Sequence, residues 1–154
     1  TRGCRGAGSG GAAQAVKRPA VIVDTNVVVA GLLAANDASP VARILDGMLA
    51  AAFPFVVSEA LLAEYRAVLL RPRVRKLHGL TVDEVEALLV DIAQHAIVLV
   101  PVATSSAPDP GDQLLWELLA ARSDLQLITG DKLLLRDARM RVRVVSPKAF
   151  VERA

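Results

Sequence analysis

Aromatic side chains, cysteine and histidine are all scarce in this chain, and each shortage removes a class of function. Only 3% of the 154 residues are aromatic. Platforms that bind nucleic acid by stacking bases on a sheet need several exposed rings, so the RRM and OB types are disfavoured. A single cysteine, Cys4, allows no internal disulfide. That cysteine and two histidines, His78 and His95, cannot complete a Cys/His zinc site, so any metal must be held by oxygens. Long apolar runs are missing too. Those at 21–23 and 97–100 are strand-sized, far below the ~20 residues of a membrane span. The reading is therefore no membrane partner and a reducing, cytoplasmic setting.

Excess charge is also lacking. The formal net charge is +2. Arg2, Arg5, Lys17 and Arg18 carry the surplus, and the remaining 14 basic residues face 16 acidic ones. The body is not a basic clamp, and affinity for nucleic acid must come from local patches.

What is present is a core. Hydrophobic residues make up 53% of the chain, and this length suits one self-sufficient domain. Residues 1–18 read as a flexible tail of Gly, Ala and Ser with no apolar centre, unlike a secretory signal. The string GAGSGG at 6–11 matches GxGxxG in form. It lacks the strand before it and the helix after it that dinucleotide binding requires. The domain is assigned to residues 19–154.

From residue 20 strands and helices alternate. Strands are expected at 20–24, 53–57, 97–100, 125–129 and 142–146. Helices are expected at 40–52, 59–70, 82–96 and 112–121, with a short one opened by Pro147. Ser58 is a suitable N-cap, and Thr81 with Glu84 forms a capping box. Strands separated by helices imply a parallel sheet covered on both faces, with ligands beyond the carboxyl ends of its strands.

That edge selects the acids. Asp24 ends the first strand, and Asp131 follows the fourth after Thr129 and Gly130. Gly130 is expected to let the chain turn sharply and approach a ligand closely. Two acids at matching strand ends repel unless a cation lies between them. Glu64 falls at the flank of the apolar face of its helix. Asp109 and Asp112 lie in the turn PDPGD, with Asp112 at a helix start. Capping or solvation explains each acid alone; convergence on one edge suits Mg²⁺ or Mn²⁺. Such a metal activates water and neutralises phosphodiester charge, so no Ser/His or Cys/His pair is needed. Arg66, Arg71, Arg73, Arg75 and Lys76 form a basic run beside Glu64. It is read either as a solvated face or as a set of RNA phosphate contacts. His78 and His95 are read as structural, and Trp116 as packing.

Three segments carry a family resemblance: VIVDTNVVVAGLL at 21–33, VVSEALLAEYRAVLLRP at 56–72 and DPGDQLLWELLAARSDLQLITGDKLLL at 109–135. In order and spacing they resemble the PIN domain, and within it bacterial ribonucleases described as toxin components of toxin–antitoxin pairs. The resemblance implies a three-layer α/β/α fold with a parallel five-stranded sheet of order 3-2-1-4-5. It implies Asp24, Glu64, Asp112 and Asp131 as catalytic, metal-holding acids. Asn26, Thr129 and Asp109 would support them. It also implies endoribonuclease activity with Mg²⁺ or Mn²⁺. RNA is the implied substrate; an antitoxin protein and a second copy of the chain are candidate partners.

Two other readings compete. A haloacid-dehalogenase-like phosphatase would use Asp24 as nucleophile, but it needs an acid two residues later, where Asn26 stands. A non-catalytic RNA-binding scaffold would leave the acidic set without a purpose.

Overall fold

The computed structural model describes residues 19–104, 107, 110–136 and 143–153. The expected tail at 1–18 and Asp109 lie outside the described residues.

The first strand, β1 (Val21–Val23), is buried at all three positions, as a strand covered on both faces must be. It pairs in parallel with β4 (Gln126–Ile128), in register Val21–Gln126 to Val23–Ile128. β4 pairs in parallel with β5 (Val144–Val145). A second pair, β2 (Val56–Val57) with β3 (Ile97–Val98), is also parallel. Hydrogen bonding thus draws a three-stranded sheet, β1-β4-β5, and a two-stranded one, β2-β3, rather than one sheet of five. The two meet at a single parallel bridge between Val21 and Phe55. Every strand is shorter than the stretch expected for it.

Helices fill the intervals: α1 (Thr25–Leu33), α2 (Pro40–Leu49), α3 (Glu59–Leu69), α4 (Pro72–His78), α5 (Val82–His95), α6 (Gln113–Leu119), α7 (Lys132–Arg136) and α8 (Pro147–Arg153). The expected caps are made. Ser58 accepts from the Leu61 N–H, and the Thr81–Glu84 box closes in both directions. The helix expected at 112–121 begins instead as a 3-10 turn, Pro110–Asp112. Three helices, α1, α4 and α7, lie outside the set expected from the sequence. α1 forms over TNVVV, a β-branched run that favours strands, because burial of Thr25, Val27 and Val28 against neighbouring helices outweighs local propensity. α4 forms within the basic run after Pro72, which sits in its first turn.

The core joins sheet and helices through Ile22, Phe55, Leu61, Tyr65, Leu118 and Leu127, all fully buried. Trp116 is buried with them, as packing requires. α1 crosses α2 closely. A Cβ at Gly31 would come within 2.6 Å of the Val41 carbonyl oxygen, so only glycine fits there. No described helix is long and apolar enough to cross a membrane.

Candidate active site

Asp24 leaves the end of β1 and stands at the N-cap of α1, where its backbone carbonyl accepts from the Val27 and Val28 N–H groups. Its backbone N–H donates to the Ile128 carbonyl of β4 at 3.0 Å. The side chain makes no well-formed capping hydrogen bond, although the Asn26 N–H stands close enough to favour its ionised form. Only 5% of the residue is exposed. A carboxylate so buried is costly unless something compensates it.

What faces it is polar and anionic. The Thr129 hydroxyl donates to Asp24 Oδ2 at 2.6 Å. Thr129 Oγ1 in turn accepts the Asp131 backbone N–H at 3.0 Å. Thr129 therefore links the ends of β1 and β4 and orients the start of α7. Burial pushes the Asp24 carboxyl above its ordinary pKa. The Thr129 hydroxyl and the nearby Asn26 N–H pull it back, and the like charges of Glu64 and Asp131 raise it again. No Lys, Arg or His is among these influences.

Glu64 arrives from α3, half-buried, at the flank anticipated for it. The Thr25 hydroxyl donates to Glu64 Oε2. One residue on, the fully buried Tyr65 hydroxyl donates to the Val23 carbonyl. Burial pushes this phenol well above its usual range, with the charges of Asp24 and Glu64 adding to the effect. Thr25 and Tyr65 were not singled out from the sequence. Their signal was adjacency: each directly follows an acid of the set, and a buried tyrosine needs a hydroxyl partner.

Asp112 stands at the N-cap of α6, without a side-chain capping bond. α6 packs on both α3 and β4, the elements that lead to Glu64 and Asp131. Asp112 is not among the charges that act on Asp24. Asn26 is exposed on the first turn of α1. Gly130 is not among the described residues with positive φ, so its backbone does not demand glycine. A Cβ there would meet nothing within 4 Å. Beside it opens a cleft of about 350 Å³, lined among others by Asn26, Gly130 and Asp131.

Arg71, Arg73, Arg75 and Lys76 are exposed at the start of and along α4, which packs on α1 and α3. Arg66 leaves this run: its Nε lies 2.5 Å from Glu86 Oε1 in an ion pair between α3 and α5. His78 is structural, as expected. Its Nε2–H donates to the Leu69 carbonyl at 2.8 Å, and its Nδ1 accepts from the Leu80 N–H at 2.9 Å.

Among the described residues, no group of three or more His, Cys, Asp or Glu side chains stands ready to hold a metal. The donor chemistry nevertheless suits one kind of cation. Asp24, Glu64 and Asp131 offer oxygens only, the charges of the latter two act on Asp24, and no basic side chain among the described residues does. Mg²⁺ takes one or two carboxylates directly and keeps several waters, so it does not need a closed cage.

An α/β chain with parallel strands and carboxylates gathered where β1 and β4 end belongs to the class that works at the carboxyl edge of its sheet. The PIN domain family profile matches residues 20–133, and the chain belongs to that family, whose members are generally nucleases. A comparison with curated proteins returned no match.

Proposed function

We propose that this domain, beginning at about residue 19, is a metal-dependent endoribonuclease with Asp24, Glu64, Asp112 and Asp131 as its acidic site. One observation carries the reading. Asp24 is buried with one oxygen held by Thr129, the charges of Glu64 and Asp131 act on it, and among the described residues no basic side chain does. A structural acid in that position would be neutralised by a partner or replaced.

In this reading Asp24, Glu64 and Asp131 are the oxygens available to Mg²⁺ or Mn²⁺. Asp112 approaches from α6. A divalent ion, when bound, lowers the pKa of a water and offsets charge on the phosphodiester. Thr129 holds the Asp24 carboxylate in place and, through the Asp131 N–H, the start of α7. Thr25 holds Glu64. Asn26 and Asp109 support the site. Arg71, Arg73, Arg75 and Lys76 contact RNA phosphates. The bridge between Val21 and Phe55 supports reading the two sheets as one, in the order 3-2-1-4-5.

A toxin role and an antitoxin or homodimer partner belong to the same proposal. The partner is supported by the exposed apolar residues Val98 and Val100 on and beyond β3, the latter 82% exposed. The test is cleavage of a labelled RNA by the wild type and Asp24→Asn with Mg²⁺, Mn²⁺ or EDTA. Metal-dependent cleavage lost in the variant is expected. RNA binding without cleavage in any metal would leave the scaffold reading. A phosphate trapped on Asp24 would favour a phosphatase.

A further inference from the structure

We infer that a cleft between α2 and α8, at the sheet edge opposite Asp24, is a second ligand site that takes a small aromatic carboxylate of one ring, such as benzoate. It lies apart from the acidic group and does not depend on the nuclease reading.

Placement comes first. Val41 and Pro147, where α2 and α8 begin, line the cleft beside Asp131. Gly47 and Phe150, further along the same two helices, line the second cleft. From Val41 to Gly47 the helix axis advances about 9 Å, at roughly 1.5 Å per residue. Phe53 also lines the second cleft. Its neighbour Pro54 accepts the Val21 N–H through its carbonyl, where β1 starts. The second cleft therefore lies at the amino edge of the strands, away from the carboxylates. Size and chemistry come next. The volume is about 170 Å³. A cavity of roughly 150 Å³ accepts a benzene ring, so one ring is its measure. Ile44, Phe53, Phe150 and Val151 make the walls apolar, and Arg43 is the one charge among the lining residues. All three phenylalanines of the chain gather here. Phe53 and Phe150 meet edge to face at 5.0 Å between centroids, and Phe55 stands 6.1 Å behind Phe53. A ligand ring extends that edge-to-face set.

Arg43 decides the charge of the ligand. It is exposed, and its guanidinium makes no hydrogen bond or ion pair among the described residues. Asp46, one turn further along α2, does not pair with it. A guanidinium presents its donors as a fork that matches a carboxylate in two parallel hydrogen bonds. One ring bearing one carboxylate satisfies wall and fork together. The turn beside the cleft is held in a costly shape. The Ala52 N–H donates to the Gly47 carbonyl and the Ala51 N–H to the Met48 carbonyl, closing α2 in a Schellman motif. Its left-handed position, where glycine is usual, is Ala51 with φ 55°. Such strain is concentrated at ligand sites. Gly47 adds to it. A Cβ there would come within 2.6 Å of Phe53 Cε2, so α2 gives up a side chain to seat the ring that walls the cleft.

The test titrates the ¹⁵N-labelled protein, without added metal, with benzoate, benzyl alcohol and acetate. Benzoate should shift the amides of Gly47, Phe53 and Val151. It should bind at least about tenfold more tightly than benzyl alcohol, which lacks the charge, or acetate, which lacks the ring. Arg43→Gln should bring benzoate down to the level of benzyl alcohol with the thermal midpoint unchanged. Val151→Phe, or Ala52→Leu if that variant does not fold, should fill the cleft and abolish binding of both. Benzoate no tighter than benzyl alcohol, benzoate indifferent to Arg43→Gln, or shifts confined to Asn26, Gly130 and Asp131 overturn the site. A peptide ending in phenylalanine offers the same two groups on a longer chain. If it shifts these amides and benzoate does not, the site for a free acid is overturned. With neither RNA nor metal present, the result stands whether or not the protein cuts RNA.

Discussion

The hydroxyl of Tyr65 donates to the carbonyl of Val23, the residue immediately before Asp24. Thr25, immediately after Asp24, donates to Glu64, the residue immediately before Tyr65. Two successive residues of α3 thus grip both neighbours of Asp24, and the grip fixes where the Asp24 and Glu64 carboxylates stand relative to each other.

Tyr65→Phe keeps the ring and removes the donor. The Val23 carbonyl then loses a buried partner, at a cost of about 1–3 kcal/mol. For a domain of this size that corresponds to a thermal midpoint lower by about 2–12 °C. If the grip sets the carboxylates, RNA cleavage falls through kcat with KM little changed. Calorimetry and steady-state kinetics check the two halves, and full kcat at a lowered midpoint would make Tyr65 a packing residue only.

Asp24→Asn is expected to reduce cleavage by about 10²-fold or more, the order of losing a well-placed activating charge. Its effect on stability follows from the raised carboxyl. Ionising Asp24 costs more in the folded protein than in the unfolded chain, so this group's contribution to stability is greatest below the ordinary value of 3.8. That contribution is then lost as pH rises through the higher folded value. Asn cannot ionise and removes that decline. Urea unfolding without metal, from acid to neutral pH, should show the variant equal to or more stable than the wild type at neutrality. A parallel decline in both proteins would contradict the assignment.

Thr129→Val removes the hydroxyl between Asp24 and Asp131. Two buried or half-buried partners are left unsatisfied, and destabilisation of about 1–3 kcal/mol is expected. The Asp24 carboxyl should titrate still higher, because the hydroxyl that favours its ionised form is gone. Carboxyl NMR titration of wild type and variant measures this; an unchanged Asp24 would show that the hydroxyl does not act on it.

The triple change of Arg71, Arg73 and Arg75 to Ala touches exposed side chains that form no ion pair among the described residues. The fold should be unaffected. If all three meet phosphates, the log–log salt slope for a single strand should shrink by about 2. Fluorescence anisotropy across a salt series reads it, and an identical slope would assign the run to a solvated face.

Much of this was legible in the chain. AVIVD announces a doubly covered strand ending in an acid, and TGD announces a second acid at a matching edge. Ser58 and the Thr81–Glu84 box place α3 and α5 because capping is local chemistry. α1 was not legible: its β-branched Thr and Val residues speak for a strand, and only their burial against packed helices makes them helical. Arg66 was grouped with the basic run because nothing in the sequence shows that Glu86, twenty residues on, lies beside it. The Tyr65–Val23 and Thr25–Glu64 bonds join positions about forty residues apart, and such pairings exist only once the helices have docked.

The bond between Thr129 and Asp24 spans 105 positions of the chain, as does the pairing of β1 with β4. Closing so large a loop comes late and slowly in folding, since its entropy must be met before the contact returns anything. On a ribosome, Asp24 and Glu64 emerge long before Thr129 and Asp131 have been added. The acidic group therefore cannot be assembled while most of the chain is being made. A nuclease built this way would spare the message that encodes it until translation has passed residue 131.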